Sequence, residues 1–384
     1  MHENLRKKPD LLIVSDTPMW QVDGKNLAFE PVVREIENFY PLFDKITWIG
    51  FKHEKNKMRD SAVTLKNARV KFVFLNNIGG KSLISKLKIL LKIPVYFYRV
   101  YHHIKKHDVI HARGPSIPAF FTLMIADFIT RPVYWYKYAG NWELENPPLS
   151  YKLQKDYLKK HKKVIGTING YWPGQQKHLI SFENPCFTGR ELQQAKETAI
   201  SKSFSGDLDL LFVGRIEERK GFDRLLSALA DFKPGSGLGT VYFVGGGGKK
   251  AHFEKLAEEM LAIDYVFTGP LKREALNNIY SKAHIFCLPS LSEGFPKVLA
   301  ESAAFGCIPV VSDLSCIGQY IIHGKNGLLL KEISPGEIRE CLVWILEHRE
   351  SLKAMSQRVN GITDKFTYEY YNERIRNDIL SHLA

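Results

Sequence analysis

The chain has 384 residues, of which 45% are hydrophobic and 25% charged, and it carries a formal net charge of +13. This length predicts about two domains, and the composition is that of a folded globular protein rather than a disordered or collagen-like one. The longest apolar run, "PAFFTLMIADFI", is interrupted by Asp127 and is too short to span a bilayer.

The excess positive charge is confined to the first half of the chain. Residues 1–200 contain 32 Lys and Arg against 18 Asp and Glu, whereas the remainder contains 22 against 23. Such asymmetry indicates an anionic partner for one domain, namely nucleic acid, a membrane surface or an acidic substrate. The five cysteines form no C-x-x-C pair, and the N-terminus has no apolar core long enough for a signal peptide. Together these features predict a cytoplasmic protein without a structural zinc site.

Apolar strands alternate with helical patterns through the first part of the chain. Strands are predicted at "DLLIVSD", "DKITWIGF", "VKFVFL", "DVIHARG" and "PVYWYKYAG". This alternation predicts a first α/β domain, residues 1–183, with a parallel sheet covered on both faces. The polar segment 184–207 breaks the pattern and is predicted to be an interdomain linker.

A basic helical pattern lies between the third and fourth of these strands. The stretch from Lys81 to Lys106 contains seven Lys or Arg and no acidic residue. Apolar residues recur in it at helical spacing, and Pro94 is expected to kink or restart the helix. One interpretation is a core helix with a solvated basic face. The other is a basic face resting on an anionic membrane, with tyrosines 96, 98 and 101 at the headgroup layer.

A second series of strands begins after the linker and predicts a second α/β domain, residues 208–365. Its strands are predicted at "DLLFVGR", "TVYFVGGGG", "YVFTG", "HIFCLPS", "CIPVVSD" and "GLLL". Arg215 ends the first of these strands, and Lys220 starts the following helix. Two cations at the carboxyl edge of a parallel sheet suit a bound diphosphate, although solvated surface charges would look the same in sequence.

Two glutamates stand eight residues apart in "SLSEGFPKVLAESAAFGCIPVVSD". Glu293 falls in the loop after a strand, where it could hold a sugar hydroxyl. Glu301 falls two turns into a helix with Pro296 in its first turn, and it could accept hydrogen bonds from ribose hydroxyls. The apolar flanks of Glu301 predict burial, so this carboxylate needs partners. The amides expected to face a diphosphate at the start of this helix are those of Lys297, Val298 and Leu299.

The motifs "GRIEERKG", "PSLSEGFPKVLAESAAFGCIPVVSD" and "GKNGLLL" together resemble those of retaining glycosyltransferases of family 4. The resemblance implies the α/β GT-B fold, in which two Rossmann-like parallel-sheet domains face each other across a cleft. It also implies that the C-terminal segment, residues 366–384, forms a helix that crosses back to the first domain.

The resemblance also implies roles for particular residues. Arg215 and Lys220 would bind the donor diphosphate and act in catalysis with Glu293, which would contact the donor sugar, while Glu301 would bind ribose. No cofactor and no metal is implied, because the cations and the helix end would stabilise the leaving diphosphate. The other donor-binding residues implied are Gly214, Leu271 beside the base, Gly294, Phe295, Lys297, Val298 and Leu299.

The first domain departs from the family pattern in several places. The family usually has a glycine-rich loop after the first strand, and here that loop is "DTPMWQVDGKN". Its only glycine is Gly24, to which the resemblance assigns the contact with the donor phosphate. Ala139 stands where many members have histidine, and Gln319 stands where glutamate is common. A lone histidine is more often structural than functional. His111 is therefore interpreted either as a structural residue or as one that faces the acceptor. The acceptor-side candidates are Asp23, His111 and Arg113.

The sequence therefore predicts a cytoplasmic retaining glycosyltransferase that moves a hexose-type sugar from a UDP- or GDP-sugar to a hydroxyl. The expected acceptor is a saccharide or a lipid-linked molecule in bacterial surface polysaccharide or glycolipid assembly, with an anionic membrane surface as a possible partner. The alternatives are another enzyme on the same architecture, such as a sugar-nucleotide epimerase or a phosphorylase, and a non-catalytic basic binding protein. No nucleic-acid-binding motif is present, so nucleic acid is not an expected partner.

Overall fold

The protein is described by a computed structural model that covers residues 7–58, 61–66, 69–76 and 83–383, without the side chains of Lys57 and of residues 83–90. The chain divides into two compact units. Unit 1 comprises Met1–Phe182 together with Tyr371–Ala384, and unit 2 comprises Glu183–Tyr370.

Unit 1 is built on a sheet of nine strands among the described residues. Parallel pairing runs in the order β5, β3, β1, β6, β7, β8, β9, and two antiparallel strands, β2 and then β4, extend from the end of β1. The strands are β1 (Leu11–Val22), β2 (Lys25–Phe29), β3 (Ile46–Lys52), β4 (Ala62–Thr64), β5 (Val70–Asn76), β6 (Val109–Gly114), β7 (Val133–Tyr138), β8 (Val164–Ile168) and β9 (Leu179–Ser181). The helices are α1 (Glu30–Glu37), α2 (Leu83–Ile104), α3 (Ile117–Ala126) and α4 (Leu149–Lys160).

Alternate residues of the central strands feed two separate cores, one on each face of this sheet. In β1, Leu12 and Val14 pack into the core that α2 and α3 cover, whereas Leu11 and Ile13 pack into the core that α1 covers. A strand that is buried on both faces reads as a continuous apolar run, which is why "LLIV" is recognisable in the sequence. Pro94 lies inside the continuous helix α2.

The segment predicted as a family-type loop, residues 16–26, is a β-hairpin instead. Strand β1 continues to Val22 and returns as β2 through a two-residue turn. Asp23 and Gly24 form that turn with φ angles of 50° and 74°. An Asp-Gly pair with both φ values positive matches the twist of a tight hairpin, and this local signal prevailed over the expected loop.

Unit 2 contains a sheet of six parallel strands among the described residues, in the order β12, β11, β10, β13, β14, β15. All six strands predicted for the second domain are confirmed. They are β10 (Leu208–Val213), β11 (Leu238–Val244), β12 (Tyr265–Gly269), β13 (Ile285–Leu288), β14 (Ile308–Ser312) and β15 (Leu328–Leu330). The helices are α5 (Gly189–Ser201), α6 (Phe222–Leu229), α7 (Lys250–Met260), α8 (Arg273–Lys282), α9 (Lys297–Ala304), α10 (Pro335–Glu347) and α11 (Arg349–Asn360).

The segment predicted as a linker, residues 184–207, differs from the prediction because it contains helix α5. The Thr188 hydroxyl accepts a hydrogen bond from the Glu191 amide, and the Glu191 carboxylate accepts one from the Thr188 amide. This capping box starts the helix, and its residues Leu192 and Ala195 are buried within unit 2. The exposed face of α5 is polar, as a linker would be, and this explains the prediction. The capping box is nevertheless visible in the sequence.

All five cysteines are buried, and none forms a disulfide. Burial raises the pKa of the Cys341 thiol to about 12 and that of the Cys316 thiol to about 11. The thiol pKa of Cys287 is raised by the same cause. Cys287 and Cys307, which lie in apolar strand contexts in the sequence, are fully buried core residues.

A buried ionic network ties the last helix, α12 (Tyr368–Asp378), into unit 1. The fully buried carboxylate of Glu35 contacts the guanidinium of Arg113 at 2.6 Å and the ammonium of Lys137 at 2.8 Å. The Tyr371 hydroxyl, on α12, donates a hydrogen bond to the same carboxylate at 3.2 Å. Burial opposes ionisation of Arg113, but the Glu35 carboxylate outweighs it and raises the pKa of Arg113.

Replacing Glu35 with Gln is expected to lower the free energy of unfolding of unit 1 by about 3–5 kcal/mol, because two buried cations would lose their counter-ion. Urea titration followed by tryptophan fluorescence measures this, since five of the six tryptophans lie in unit 1. Asp378→Asn, which removes the Arg374–Asp378 pair on α12, is the control and should cost less than about 1 kcal/mol. Equal losses in the two variants would contradict the role given to Glu35.

Candidate functional site

The strand order of unit 2 reverses between β10 and β13. From β10 the chain runs outward through β11 and β12, and then returns to place β13, β14 and β15 on the other side. The loops that follow β10 and β13 therefore diverge above the sheet and leave a crevice between them. In doubly wound sheets, ligands bind at this position, outside the carboxyl ends of the strands. The loops that meet there carry Arg215, Lys220 and Glu293.

Gly221 allows these two loops to approach each other closely. Its φ angle is 68°, and a Cβ atom at this position would lie 1.9 Å from the carbonyl oxygen of Pro289. The Leu291 amide donates a hydrogen bond to the carbonyl of Arg219 at 2.9 Å, which joins the loops through their backbones. No residue with a side chain fits at Gly221 without displacing backbone, so this glycine fixes the position of Lys220.

Lys220 and Glu293 form an ion pair across the crevice. The same carboxylate oxygen of Glu293 accepts a hydrogen bond from the Ser290 hydroxyl at 2.7 Å. Arg215 is different, because 70% of its side chain is exposed while its guanidinium lies 3.1 Å from Glu217. The structure therefore brings Lys220 and Glu293 together as an oriented pair, and it leaves Arg215 extended into solvent at the same sheet edge.

The glycine run after β11 supports the base of the crevice. A Cβ atom on Gly245 would lie 1.8 Å from the carbonyl oxygen of Gly214, and one on Gly247 would lie 2.6 Å from that of Ile216. The Gly214 amide donates to the carbonyl of Val244 at 3.0 Å. Gly214, which was expected to bind donor, thus has its amide committed to the sheet, and Gly245 and Gly247 of the run "GGGG" serve close backbone packing.

Helix α9 begins one residue later than expected, because Pro296 is its N-cap rather than part of its first turn. The Leu299 amide donates to the carbonyl of Pro296 at 3.0 Å, so it is not available to a ligand as predicted. Phe295 is buried and stacks on Phe366, with 4.9 Å between ring centroids. The Gly294 carbonyl accepts a weak hydrogen bond from the Cys316 thiol. These contacts fix the loop in front of the helix, with the amides of Lys297 and Val298 at its first turn.

Glu301 is nearly buried, with 13% of its side chain exposed, and it already has protein partners. The Tyr280 hydroxyl donates to it at 3.1 Å, and the Arg273 guanidinium donates at 3.3 Å. Burial and the adjacent Glu301 carboxylate raise the pKa of Tyr280. Glu301 therefore has the low exposure and the polar partners that its apolar flanks predict.

Sequence reasoning missed Arg273, which links several parts of this region. Besides Glu301, its guanidinium contacts the Glu191 carboxylate at 3.2 Å and donates to the Cys186 carbonyl at 2.6 Å. Burial opposes its charge, but Glu301 and Glu191 keep the pKa of Arg273 raised. Leu271, the candidate for the base site, lies two residues before it in the loop between β12 and α8. The signal was present, because a buried acid at position 301 required a cation and "GPLKREAL" supplies one.

Two candidate residues of unit 1, His111 and Arg113, contact each other, with 3.4 Å between the guanidinium and the imidazole Nε2. His111 is wholly buried, and its ring stacks on Trp135 with 3.6 Å between centroids. Burial and the nearby Arg113 hold the pKa of His111 well below its usual range, so the ring is neutral. His111 therefore lies in the core beneath the sheet edge, which fits the structural one of its two interpretations.

The remaining positions singled out in unit 1 lie at the ends of its strands and at the hairpin turn. Arg113 is engaged with Glu35. Asp23 and Gly24 are exposed at the hairpin turn, where a Cβ atom on Gly24 would meet no other atom within 4 Å. Ala139 is exposed just after β7. No close backbone approach therefore explains Gly24, whose φ angle alone accounts for a glycine at that position.

Comparisons with known proteins agree with these features. Residues 193–360 match the family described as glycosyl transferases group 1. The chain is 26% identical over 305 residues to the sulfoquinovosyl transferase SQD2 of Arabidopsis thaliana, which covers 71% of this chain and 56% of that protein. The chain spans about half the length of the first curated relatives that it matches, at 56%, 44% and 48%.

Solved structures with low sequence identity share the fold. Anabaena HepE, solved in complex with UDP and glucose, superposes with a TM-score of 0.67 at 15% identity, covering 97% of this chain and 99% of HepE. The lipopolysaccharide outer core galactosyltransferase WaaB gives a TM-score of 0.66 at 16% identity, covering 97% of this chain and 99% of WaaB.

These likenesses confirm the predicted fold class, GT-B, with its two parallel-sheet α/β domains. The family match covers α5 through α11 and therefore includes the crevice with Lys220, Glu293 and Glu301. The family match is confined to residues 193–360, so it is the second domain that is similar to the glycosyl transferases group 1.

Proposed function

We propose that the protein transfers a hexose-type sugar from a nucleotide diphosphate donor, UDP- or GDP-linked, to a hydroxyl group. The observation that carries the proposal is the Lys220–Glu293 pair at the switch point of unit 2, with Arg215 at the same edge. Cations at this position suit a diphosphate, and a fixed carboxylate beside them suits a sugar hydroxyl.

The proposed chemistry follows from the charges in the crevice. Arg215 and Lys220 neutralise the charge that develops on the leaving diphosphate, with the amides at the start of α9. An ammonium has three N–H donors, so Lys220 can keep its contact with Glu293 and still donate to a phosphate oxygen. Because the diphosphate leaves from the face that the acceptor hydroxyl attacks, it can take the acceptor's proton, and the anomeric configuration is retained.

The proposal includes no metal and no cofactor. The electrostatic work that a divalent cation would do falls to Arg215, Lys220 and the helix amides. Activity that persists after treatment with EDTA would agree with this, whereas activity restored only by added Mg²⁺ or Mn²⁺ would contradict it.

Two of the similar proteins favour a UDP-hexose donor and a saccharide or lipid-linked acceptor. HepE was solved with UDP and glucose, and WaaB is a lipopolysaccharide outer core galactosyltransferase. We therefore place the reaction in surface polysaccharide or glycolipid assembly. Incubation with UDP- and GDP-hexoses, with and without acceptor, tests this. Conversion of the donor without any acceptor would indicate an epimerase, and sugar release that depends on phosphate would indicate a phosphorylase.

Arg215→Ala and Lys220→Ala are each expected to weaken donor use by about ten- to a hundredfold, because a charge-assisted hydrogen bond contributes about 1.5–3 kcal/mol. The measurement is kcat/KM for the donor. Arg339→Ala is the matched control, because Arg339 is also an exposed arginine of unit 2 paired with a carboxylate, Asp231, at 3.4 Å. Loss of activity in the control, or none in the two site variants, would remove the diphosphate assignment.

Glu293→Gln and Glu301→Gln are expected to differ in steady-state kinetics. Glu301→Gln should mainly raise the donor KM, because ribose contacts are present in the ground and transition states alike. Glu293→Gln should mainly lower kcat, because it contacts the reacting sugar and orients Lys220. Tyr280→Phe removes a hydrogen bond to Glu301 but keeps the carboxylate, so it controls for loss of stability alone. The reverse pattern would mean that the two roles are exchanged.

We also propose a cytoplasmic protein that binds an anionic membrane surface through unit 1. None of the helices within the described ranges is long and apolar enough to cross a bilayer. Helix α2 nevertheless exposes Leu91 (72%), Val95 (46%) and Tyr98 (65%), which recur at helical spacing on one face. Lys81 and the side chains of Lys86 and Lys88 lie outside the described residues, whereas Lys92 is exposed beside Leu91.

Helices α3 and α4 also carry exposed apolar side chains. Helix α3 packs against both α2 and α4. Met124 on α3 and Phe128 just after it are 41% and 82% exposed, and Leu149 on α4 is 72% exposed. Apolar side chains exposed together on adjacent helices mark an interaction surface, and basic residues nearby favour anionic lipid. The placement of Tyr96 at the headgroup layer is wrong. Tyr96 is buried, and its hydroxyl donates a hydrogen bond to the Asn76 carbonyl.

Binding to anionic vesicles but not to neutral ones is expected, with loss near 0.5 M salt as the screening length falls to about 4 Å. The combined change of Lys86, Lys88 and Lys92 to Gln should weaken it, because each basic residue contributes about 1 kcal/mol. Leu91→Ser with Phe128→Ser should weaken it further, whereas Ile200→Ser, a 70% exposed position of unit 2, should not. Vesicle sedimentation provides the measurement. Equal binding to neutral vesicles, or none to either, would contradict the proposal.

A further inference from the structure

A cavity of about 610 Å³ opens at the amino-terminal edge of the unit 1 sheet. It lies where β7, β8 and β9 begin, because the residues just before these strands, Pro132, Lys163 and His178, line it. This edge is opposite to the one that carries Ala139 and the end of β6. None of the residues assigned to sugar transfer lines this cavity.

The walls of this cavity combine two chemistries. Val133, Ile165 and Ile180 give it an apolar base, and neither Asp nor Glu is among its lining residues. The cationic residues around it are Arg131, Lys162, Lys163 and Lys177. A concave site of a few hundred cubic ångströms, mostly apolar with a few charged groups at its edge, has the form of a small-molecule site.

The three lysines lack partners that would explain their grouping. In the part of the chain that the structure describes, no carboxylate lies within 4.0 Å of the ammonium groups of Lys162, Lys163 or Lys177. Only Arg131 is paired, with Asp108 at 3.3 Å. Like charges gathered around an apolar base repel one another and do not stabilise the fold. A bound anion would relieve that repulsion.

We propose that this cavity binds a phosphate-bearing molecule with an apolar portion. The phosphate contacts Lys162, Lys163 and Lys177, and the apolar portion lies against Val133, Ile165 and Ile180. Phosphate fits better than a single carboxylate because three exposed lysines line the same cavity and a phosphate offers at least three acceptor oxygens. The same chemistry occurs in a lipid phosphate headgroup and in a soluble phosphorylated metabolite.

The exposed rim favours an amphiphilic ligand. Thr130 lines the cavity, and Phe128, two residues earlier, is 82% exposed. If the apolar portion of a ligand extends beyond the cavity, it would pack against the aromatic ring of Phe128. The site proposed here does not depend on the proposed sugar transfer, because no residue is shared between them.

Calorimetric titration of the full chain with two soluble probes, hexyl phosphate and hexanol, tests the class of ligand. Hexyl phosphate should bind and hexanol should not. The triple variant Lys162→Gln, Lys163→Gln and Lys177→Gln should weaken hexyl phosphate at least about tenfold, since ion-paired hydrogen bonds are lost. The matched control changes Lys8, Lys45 and Lys55 to Gln, which removes the same charge elsewhere in unit 1 and should change the affinity less than about twofold.

Thr130→Trp provides a second test that keeps every charge. An indole at this exposed rim position should obstruct the mouth and weaken hexyl phosphate, while leaving inorganic pyrophosphate unaffected. Vesicles of phosphatidylcholine with and without phosphatidic acid separate the sources of the phosphate. Binding to phosphatidic acid that the pocket triple variant loses and the control triple variant keeps assigns a lipid, whereas binding confined to the soluble probe assigns a metabolite.

The proposal is overturned if neither hexyl phosphate nor phosphatidic acid binds, or if the two triple variants lose binding equally. It is also overturned if hexanol binds as tightly as hexyl phosphate, because the lysines would then have no role. Sugar transfer by the same preparations is an independent measurement, so failure here leaves the proposed function untouched.

Discussion

The close approach of two backbones at Gly221 is the constraint on which the crevice of unit 2 depends. The turn after β10 can rest on the Pro289 carbonyl only because residue 221 has no side chain and adopts a positive φ. That contact holds Lys220 within reach of Glu293. The glycine run after β11 does the same for the turn at Gly214 from the other side. The charged groups of the crevice are thus oriented by packed backbone rather than by flexible side chains.

The two units differ in how they manage charge. In unit 2, the acids and bases of the crevice lie at a sheet edge, partly open to a ligand, and Arg273 and Tyr280 hold Glu301 in place behind it. In unit 1, the corresponding sheet edge contains a closed network, in which Glu35 is the carboxylate contacted by Arg113 and Lys137. A buried ion pair of this kind gives orientation more than stability. It also fixes Tyr371, so the last helix is held to unit 1 by a polar contact as well as by its apolar face.

A feature could be predicted when its signal lies within a short stretch of sequence, and it was missed when the signal depends on residues far apart in the chain. The unit 2 strands could be predicted because each is a short apolar run bounded by glycine or a charge, and Arg215 and Glu293 follow directly from the strand ends. The sequence predicts a linker where helix α5 lies because its exposed face is polar and its buried residues are few, namely Leu192, Ala195 and Ala199. His111 illustrates the opposite limit. A strand-end histidine looks functional in sequence, and only the partner strand, which stacks Trp135 on it, shows that it is buried. Long-range partners such as Glu35 cannot be read from local pattern.

The burial of all five cysteines has a consequence for how the molecule can be labelled. Thiolate is the reactive form, and both burial and the raised pKa values of Cys287, Cys316 and Cys341 disfavour it. In the folded protein the native thiols are therefore shielded from alkylating reagents. A cysteine introduced at an exposed position would be the reactive one, so a fluorophore or spin label could be attached there without first removing the native cysteines.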